Sequence, residues 1–243
     1  MDYEVERNMC LKILLVTAHP DDEVIWLGST LHELCKKPNA EVKVICLWGA
    51  MEKPGTMSAV TPGFSDWDRE KHFYEACRNQ GYSKCKIFVD ENFEASANEY
   101  QTDENLNIAF NICLKDIGDY DVLITHSPDG DERKHPHHIR LYEFFRKFTL
   151  ENNIPFGFFS TFENNNISTE KIKDGVFRCQ ENPFGVDCLM KFENDVSTKL
   201  ESMRIYKSVD FNKHYNDYYA MRTGDENLYM DMNLYEELNK LWE

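Results

Sequence analysis

The chain has 243 residues, 42% hydrophobic and 13% aromatic, which is enough to bury a substantial core and too apolar for a disordered segment. Its formal net charge of −16 argues against nucleic acid and against an anionic membrane surface as partners, because both would repel it. The substrate stays open, since a basic pocket can sit inside an acidic surface.

In chain order, Ile13-Leu14-Leu15-Val16 is short, apolar and partly β-branched, and predicts a buried strand. A helical pattern follows, with Leu27, Leu31, Leu34 and Cys35 on one face. Val42 to Leu47 predicts a second strand. Trp48 to Ser65 carries Gly49, Pro54, Gly55, Pro62 and Gly63 and predicts a long loop. Asp66 is expected to cap a helix ending near Gly81. Lys86 to Val89 predicts a third strand, followed by a polar loop to about Asp103. A helix then carries Leu106, Ala109, Phe110, Cys113 and Ile117 and is closed by Gly118. Val122 to Thr125 predicts a fourth strand, and Phe156 to Thr161 a further one. Asp195 to Val209 reads as a helix, residues 210–232 have no clear pattern, and Met232 to Trp242 reads as a short closing helix.

Strands alternating with helices predict an α/β fold with a mostly parallel sheet covered on both faces. No linker divides the chain, so one domain over 1–243 is expected. The phosphate fingerprint G-x-G-x-x-G is absent after the first strand, which disfavours a dinucleotide site. The eight cysteines, Cys10, Cys35, Cys46, Cys77, Cys85, Cys113, Cys179 and Cys188, form no C-x-x-C pair. They read as small hydrophobes in a reducing cytoplasm. The N-terminal stretch Met1 to Arg7 is acidic and lacks the basic start of a signal peptide, and no apolar run is long enough to span a bilayer.

The chemistry concentrates where the first strand hands over to a helix, at Ala18-His19-Pro20-Asp21-Asp22-Glu23. Ends of strands are where open α/β sheets keep their sites. His19 and Asp22, three apart on a first helical turn, can point the same way and supply two ligands of a zinc-type site. Asp21 between them is left for use as a base. The competing reading is plain helix capping by Asp21, Asp22 and Glu23 with Pro20 at an early position. A second cluster, His135-Pro136-His137-His138, follows the fourth strand and the turn Ser127-Pro128-Asp129-Gly130-Asp131, just before a helix carrying Tyr142, Phe145 and Phe148.

Together the two clusters resemble the LmbE-like, or PIG-L-type, zinc de-N-acetylases, which carry H-P-D-D-E after their first strand and H-P-D-H later. The resemblance implies a Rossmann-like three-layer fold. It also implies Zn2+, or another divalent ion, on His19, Asp22 and His138, with Asp21 as general base and His135 stabilising the oxyanion. Arg69 begins a segment similar to the family's R-x-x-E-x-x-x-A-x-x-x-L-G, in which the Arg approaches substrate; here His72 stands for Glu and Gln80 for Leu. The implied partner is a small acetamidosugar that loses its N-acetyl group as acetate. A zinc hydrolase of another amide or acyl group, or a metal-binding module without catalysis, are the competing functions.

One position departs from the family pattern: His137 stands where Asp is usual. A carboxylate there can hold the oxyanion-stabilising His protonated, and a neutral imidazole cannot. Either His135 is less readily protonated here or another carboxylate reaches it. Asp129, counted with Arg69 on the substrate side, is the first candidate because Pro128 and Gly130 suit a tight turn, and Asp131 is the second. Of the remaining histidines, His126 directly follows the fourth strand and reads as a satisfied, partly buried residue, while His32, His72 and His214 carry no assigned role. The tyrosines Tyr206, Tyr215, Tyr218, Tyr219 and Tyr229 read as packing more than as sugar-stacking faces.

Overall fold

The computed structural model describes residues 10–47, 66–88, 102–131, 134–160, 167–180, 184–209, 211 and 220–242. The expected loop from Trp48 to Ser65, His214, Tyr215, Tyr218 and Tyr219 lie outside them.

The first half alternates strand and helix as the periodicity predicts: β1 (Leu11–Thr17), α1 (Asp22–Ile25), α2 (Gly28–Cys35), β2 (Ala40–Cys46), α3 (Asp66–Gln80), β3 (Lys84–Ile87), α4 (Asp103–Ile117), β4 (Val122–Thr125), α5 (Pro136–Asn152) and β5 (Phe156–Ser160). There follow β6 (Ser168–Lys173), β7 (Val176–Gln180), β8 (Cys188–Glu193), α6 (Ser197–Ile205), β9 (Asp225–Met230) and α7 (Met232–Trp242). The nine strands among the described residues join one sheet in the order β3-β2-β1-β4-β5-β9-β8-β7-β6. Pairing is parallel from β3 to β5 and antiparallel from β5 outward.

β1 is apolar on both faces because helices cover both. Ile13 and Leu15 pack with α2, α3, α6 and α7, through residues such as Leu31, Phe73, Met203 and Leu238. Leu14 and Val16 pack on the other side with α4 and α5, through Phe110, Cys113, Leu141 and Phe145. The result is three layers.

Local chemistry sets the helix ends. α4 starts where Thr102 Oγ1 accepts from Asn105 N at 3.2 Å, and it stops at Gly118, whose φ of 80° most side chains resist. α5 has Pro136 in its first turn and ends on Asn153 in the left-handed region. α2 has no side-chain cap of its own. The Glu226 carboxylate on β9 accepts from Ser29 N at 3.2 Å and Thr30 N at 2.7 Å instead, and is itself paired with buried Lys199 at 2.9 Å. The antiparallel half thus caps a helix of the parallel half.

The strand order places the functional residues. After β1 the chain builds β2 and β3 to one side, then crosses back to lay β4 on the other side of β1. The β1 and β4 exits therefore diverge at the switch point, leaving a crevice at their carboxyl ends. His19 to Glu23 leave β1 there, and His126 to His138 leave β4.

Candidate active site

The β1 exit is tightly constrained. Asp21 has φ 122° and ψ −25°, a conformation that a non-glycine residue adopts only when its surroundings hold it. Glu23 Oε2 accepts from Asp21 N at 2.9 Å, and Glu23 Oε1 takes the hydroxyl of Tyr206, which closes α6. Arg69 on α3 donates from Nη2 to Asp21 Oδ2 at 3.0 Å and from Nε to Pro20 O at 3.0 Å. Groups from three helices thus hold one strained aspartate.

Asp22 turns the other way. Trp26 Nε1 donates to its Oδ1 at 3.0 Å, and its Oδ2 accepts from His19 N at 2.7 Å. That same Oδ2 lies 3.2 Å from His19 Nδ1 and 3.3 Å from His138 Nε2, while the two imidazole nitrogens are 3.2 Å apart. Ligand atoms about 2.1 Å from a tetrahedral ion are about 3.4 Å from one another. The three donor atoms therefore form a nearly equilateral triangle of the size such an ion requires, and the donor set fits zinc. His135, at the N-cap of α5, offers a ring nitrogen within 4.8 Å of those of His19 and His138.

The β4 exit supplies the support. Gly130 and Asp131 both have left-handed φ, 69° and 63°. A Cβ on Gly130 would come within 2.7 Å of the His135 backbone, so the turn needs glycine. The turn buries the Asp131 carboxylate beneath the ring of His138, which bonds it through Nδ1. His126 Nδ1 donates to the same Oδ2 at 2.9 Å, because its Nε2 is occupied in accepting from Ala18 N at 3.0 Å. The outer Oδ1 of Asp131 is buried without a hydrogen-bond partner. Asp131 does join an imidazole of the cluster, but it is His138 and not His135; the left-handed turn directs it there. Asp129 stays exposed in the turn.

Burial raises the Asp21 carboxyl to about 7, with Arg69 acting against the rise. Burial also raises Glu23, to about 8, despite its bond from Tyr206. Burial works against charge on His138, yet Asp22 and Asp131 outweigh it and hold the ring up at about 10. His19 falls to about 3, through burial first and through His138 and His135 besides. His135 and His137 each fall to about 4, through burial and then the charge on His138.

Residues 14–149 match the model of the PIG-L family, described as GlcNAc-PI de-N-acetylase. The chain belongs to the PIG-L family. With the family comes the reaction class, and this PIG-L chain is an N-deacetylase. The fold agrees. The A40926 pseudoaglycone deacetylase superposes with a TM-score of 0.60 at 15% identity, over 91% of this chain and 97% of that one. A triple mutant of the deacetylase of teicoplanin biosynthesis gives 0.62 at 15%, over 90% and 97%. The N,N'-diacetylchitobiose deacetylase from Pyrococcus horikoshii gives 0.50 at 18%, over 85% and 74%. Comparison with curated proteins finds no match.

Of the residues singled out in the sequence, His19, Asp21, Asp22, His135 and His138 converge at the switch point. Arg69 is there too, but it is 4% exposed and its guanidinium donates to Asp21 and Pro20. In this PIG-L chain it holds the Asp21 carboxylate in place. His126, Glu23, Trp26 and Tyr206 contact these residues or support those that do, and sequence reasoning assigned them no role. Two of them had a signal: Glu23 closes the H-P-D-D-E stretch, and His126 leaves β4 as His19 leaves β1, on adjacent parallel strands.

Proposed function

We propose that the chain is a zinc-dependent hydrolase that removes the acetyl group from the nitrogen of an N-acetylated amino sugar or its conjugate. The observation that carries the metal reading is the triangle of His19 Nδ1, Asp22 Oδ2 and His138 Nε2, with Asp21 beside it and free of that triangle. Zinc held there would supply Lewis-acid stabilisation of developing negative charge and would bring the pKa of water toward ~7.

The chain's own residues do the rest. Asp21 Oδ accepts the proton of the attacking water and returns it to the leaving nitrogen; a carboxylate near 7 suits both directions. Arg69 keeps that carboxylate aimed and sets its proton affinity against burial. His135, at the N-cap of α5 and with a ring nitrogen within 4.8 Å of those of His19 and His138, is the side chain assigned to donate to the oxyanion, a contribution of roughly 3 kcal/mol for such a donor. Asp129, exposed at the mouth of the same turn, is assigned to the substrate side. The held, strained Asp21 supports catalysis over passive metal binding, since a structural zinc has no use for a base.

The sugar is supported by the family description and by neighbours that are deacetylases of a pseudoaglycone and of diacetylchitobiose. Among the described residues no helix is long and apolar enough to cross a membrane. The proposed location is the cytoplasm, on the scattered cysteine pattern of the sequence, which has no C-x-x-C pair.

The test is acetate release from a panel of N-acetylated amino sugars, with metal content measured on the same protein. We expect one zinc per chain, loss of activity on chelation and its return with zinc. Zinc-loaded protein that releases no acetate from any acetamidosugar would refute the substrate assignment. Full activity after complete chelation would refute the metal.

A further inference from the structure

Each imidazole in a metal centre has two nitrogens, and the partner of the outer one decides which tautomer the ring keeps. The two histidines of the triangle are supported differently. His138 presents Nε2 inward and gives Nδ1 to the Asp131 carboxylate. His19 presents Nδ1 inward, and its Nε2 meets His137 Nδ1 at 3.0 Å, with ring centroids 5.2 Å apart and planes tilted by 34°. His137 is well placed to hold that contact. It sits in the first turn of α5 directly after Pro136, its backbone N donates to His135 Nδ1 at 3.3 Å, and it is buried.

We propose that His137 is a positioning residue of the metal centre: its Nδ1 accepts the Nε2 proton of His19 and so keeps His19 Nδ1 unprotonated and aimed at Asp22 and His138. The inference rests on the metal reading above. The tautomers follow from the contact. A proton on His19 Nδ1 would face the donor triangle and compete with any cation, so the neutral ring must carry its proton on Nε2, and His137 Nδ1 must then accept it.

The use of an imidazole has a consequence for charge. Asp22 and Asp131 already bring two carboxylates to the centre, and Asp21 brings a third that Arg69 offsets. A carboxylate at position 137 would add another anion against His19. His137 performs the orienting task without adding charge, at the cost of polarising His19 less than Asp131 polarises His138. His19 is therefore the weaker of the two imidazole ligands in this chain.

Zinc affinity, measured by competition with a chromophoric chelator, tests this on the full chain. Absorption spectra of the cobalt-substituted protein report on the geometry of the ligands. His137→Phe keeps a ring but has no acceptor, and His137→Ala removes both; each should weaken zinc binding about 10- to 100-fold. His137→Asn can place an amide oxygen where Nδ1 stands, and should bind within about 3-fold of wild type with the cobalt spectrum restored. His137→Asp should bind more tightly than wild type, because a carboxylate polarises His19 more strongly. Far-ultraviolet circular dichroism of the metal-free proteins controls for folding, and the Phe and Asn pair carries the test should the Ala variant not fold. If His137→Phe binds zinc as wild type does, or His137→Asn binds no better than His137→Phe, this inference fails while the metal reading stands. A wild-type protein that binds no stoichiometric zinc would overturn both.

Discussion

Replacing Asp21 with Asn separates the chemistry of this residue from its shape. Asp21 is held at φ 122°, and Asn is among the few side chains that tolerate positive φ nearly as well as Asp, so the backbone should survive. The amide oxygen can still accept from Arg69 Nη2, now 3.0 Å from Oδ2. What is lost is a charge and the capacity to take a proton. Removing a general base costs about 100- to 10,000-fold in turnover, equivalent to about 2.7–5.5 kcal/mol of barrier. The donor triangle does not include Asp21, so zinc content should stay at one per chain. Stability should fall, because Arg69 is 4% exposed and loses the charge of Asp21 beside it; breaking a buried pair costs up to ~3–5 kcal/mol, and the retained hydrogen bond keeps the loss below that ceiling. The double variant Asp21→Asn/Arg69→Met removes the buried cation as well and should recover part of the stability without recovering turnover. Acetate release at saturating substrate, zinc content and thermal unfolding read the three quantities separately. A zinc-loaded Asp21→Asn protein within ~10-fold of wild-type turnover would show that Asp21 only shapes the loop, and the assigned mechanism would be wrong.

Two further outcomes follow from the same geometry. Asp131→Asn keeps an oxygen for His138 Nδ1 and His126 Nδ1 but removes the charge, and zinc affinity by chelator competition should drop roughly 10- to 100-fold with the fold retained; unchanged affinity would show that Asp131 serves the turn alone. Away from the centre, Lys199→Met leaves Glu226 buried with its charge unpaired, which should cost ~3–5 kcal/mol and lower the unfolding temperature by roughly 6–20 °C, whereas Lys199→Met/Glu226→Gln should recover most of it; calorimetry showing the double variant as unstable as the sum of the singles would refute the pairing argument.

The sequence by itself determined the elements that are short-range and strongly patterned. The apolar run before His19, the helix closed by Gly118 and the strand at Val122 follow from local periodicity, and the two polar clusters beyond strand ends, Ala18 to Glu23 and His135 to His138, carried the family resemblance. The antiparallel extension was not legible. β6 reads Ser-Thr-Glu-Lys-Ile-Lys and is mostly exposed, so it lacks the alternation that marks a half-buried strand; its partner lies on β7. β9 begins Asp-Glu-Asn because Glu226 is needed to cap α2 and hold Lys199, and those polar residues mask a strand that is nonetheless buried. At the centre, spacing could place His19 and Asp22 on one turn, but only the strand order brought His138 to them from 119 residues away. The same holds for Asp131, whose choice of His138 over His135 depends on two left-handed residues, and for Tyr206, which reaches Glu23 across 183 residues. Spacing along a chain constrains neighbours within a turn or a pleat, whereas the nitrogen a histidine presents and the carboxylate that supports it are decided by packing between elements that the sheet topology alone makes adjacent.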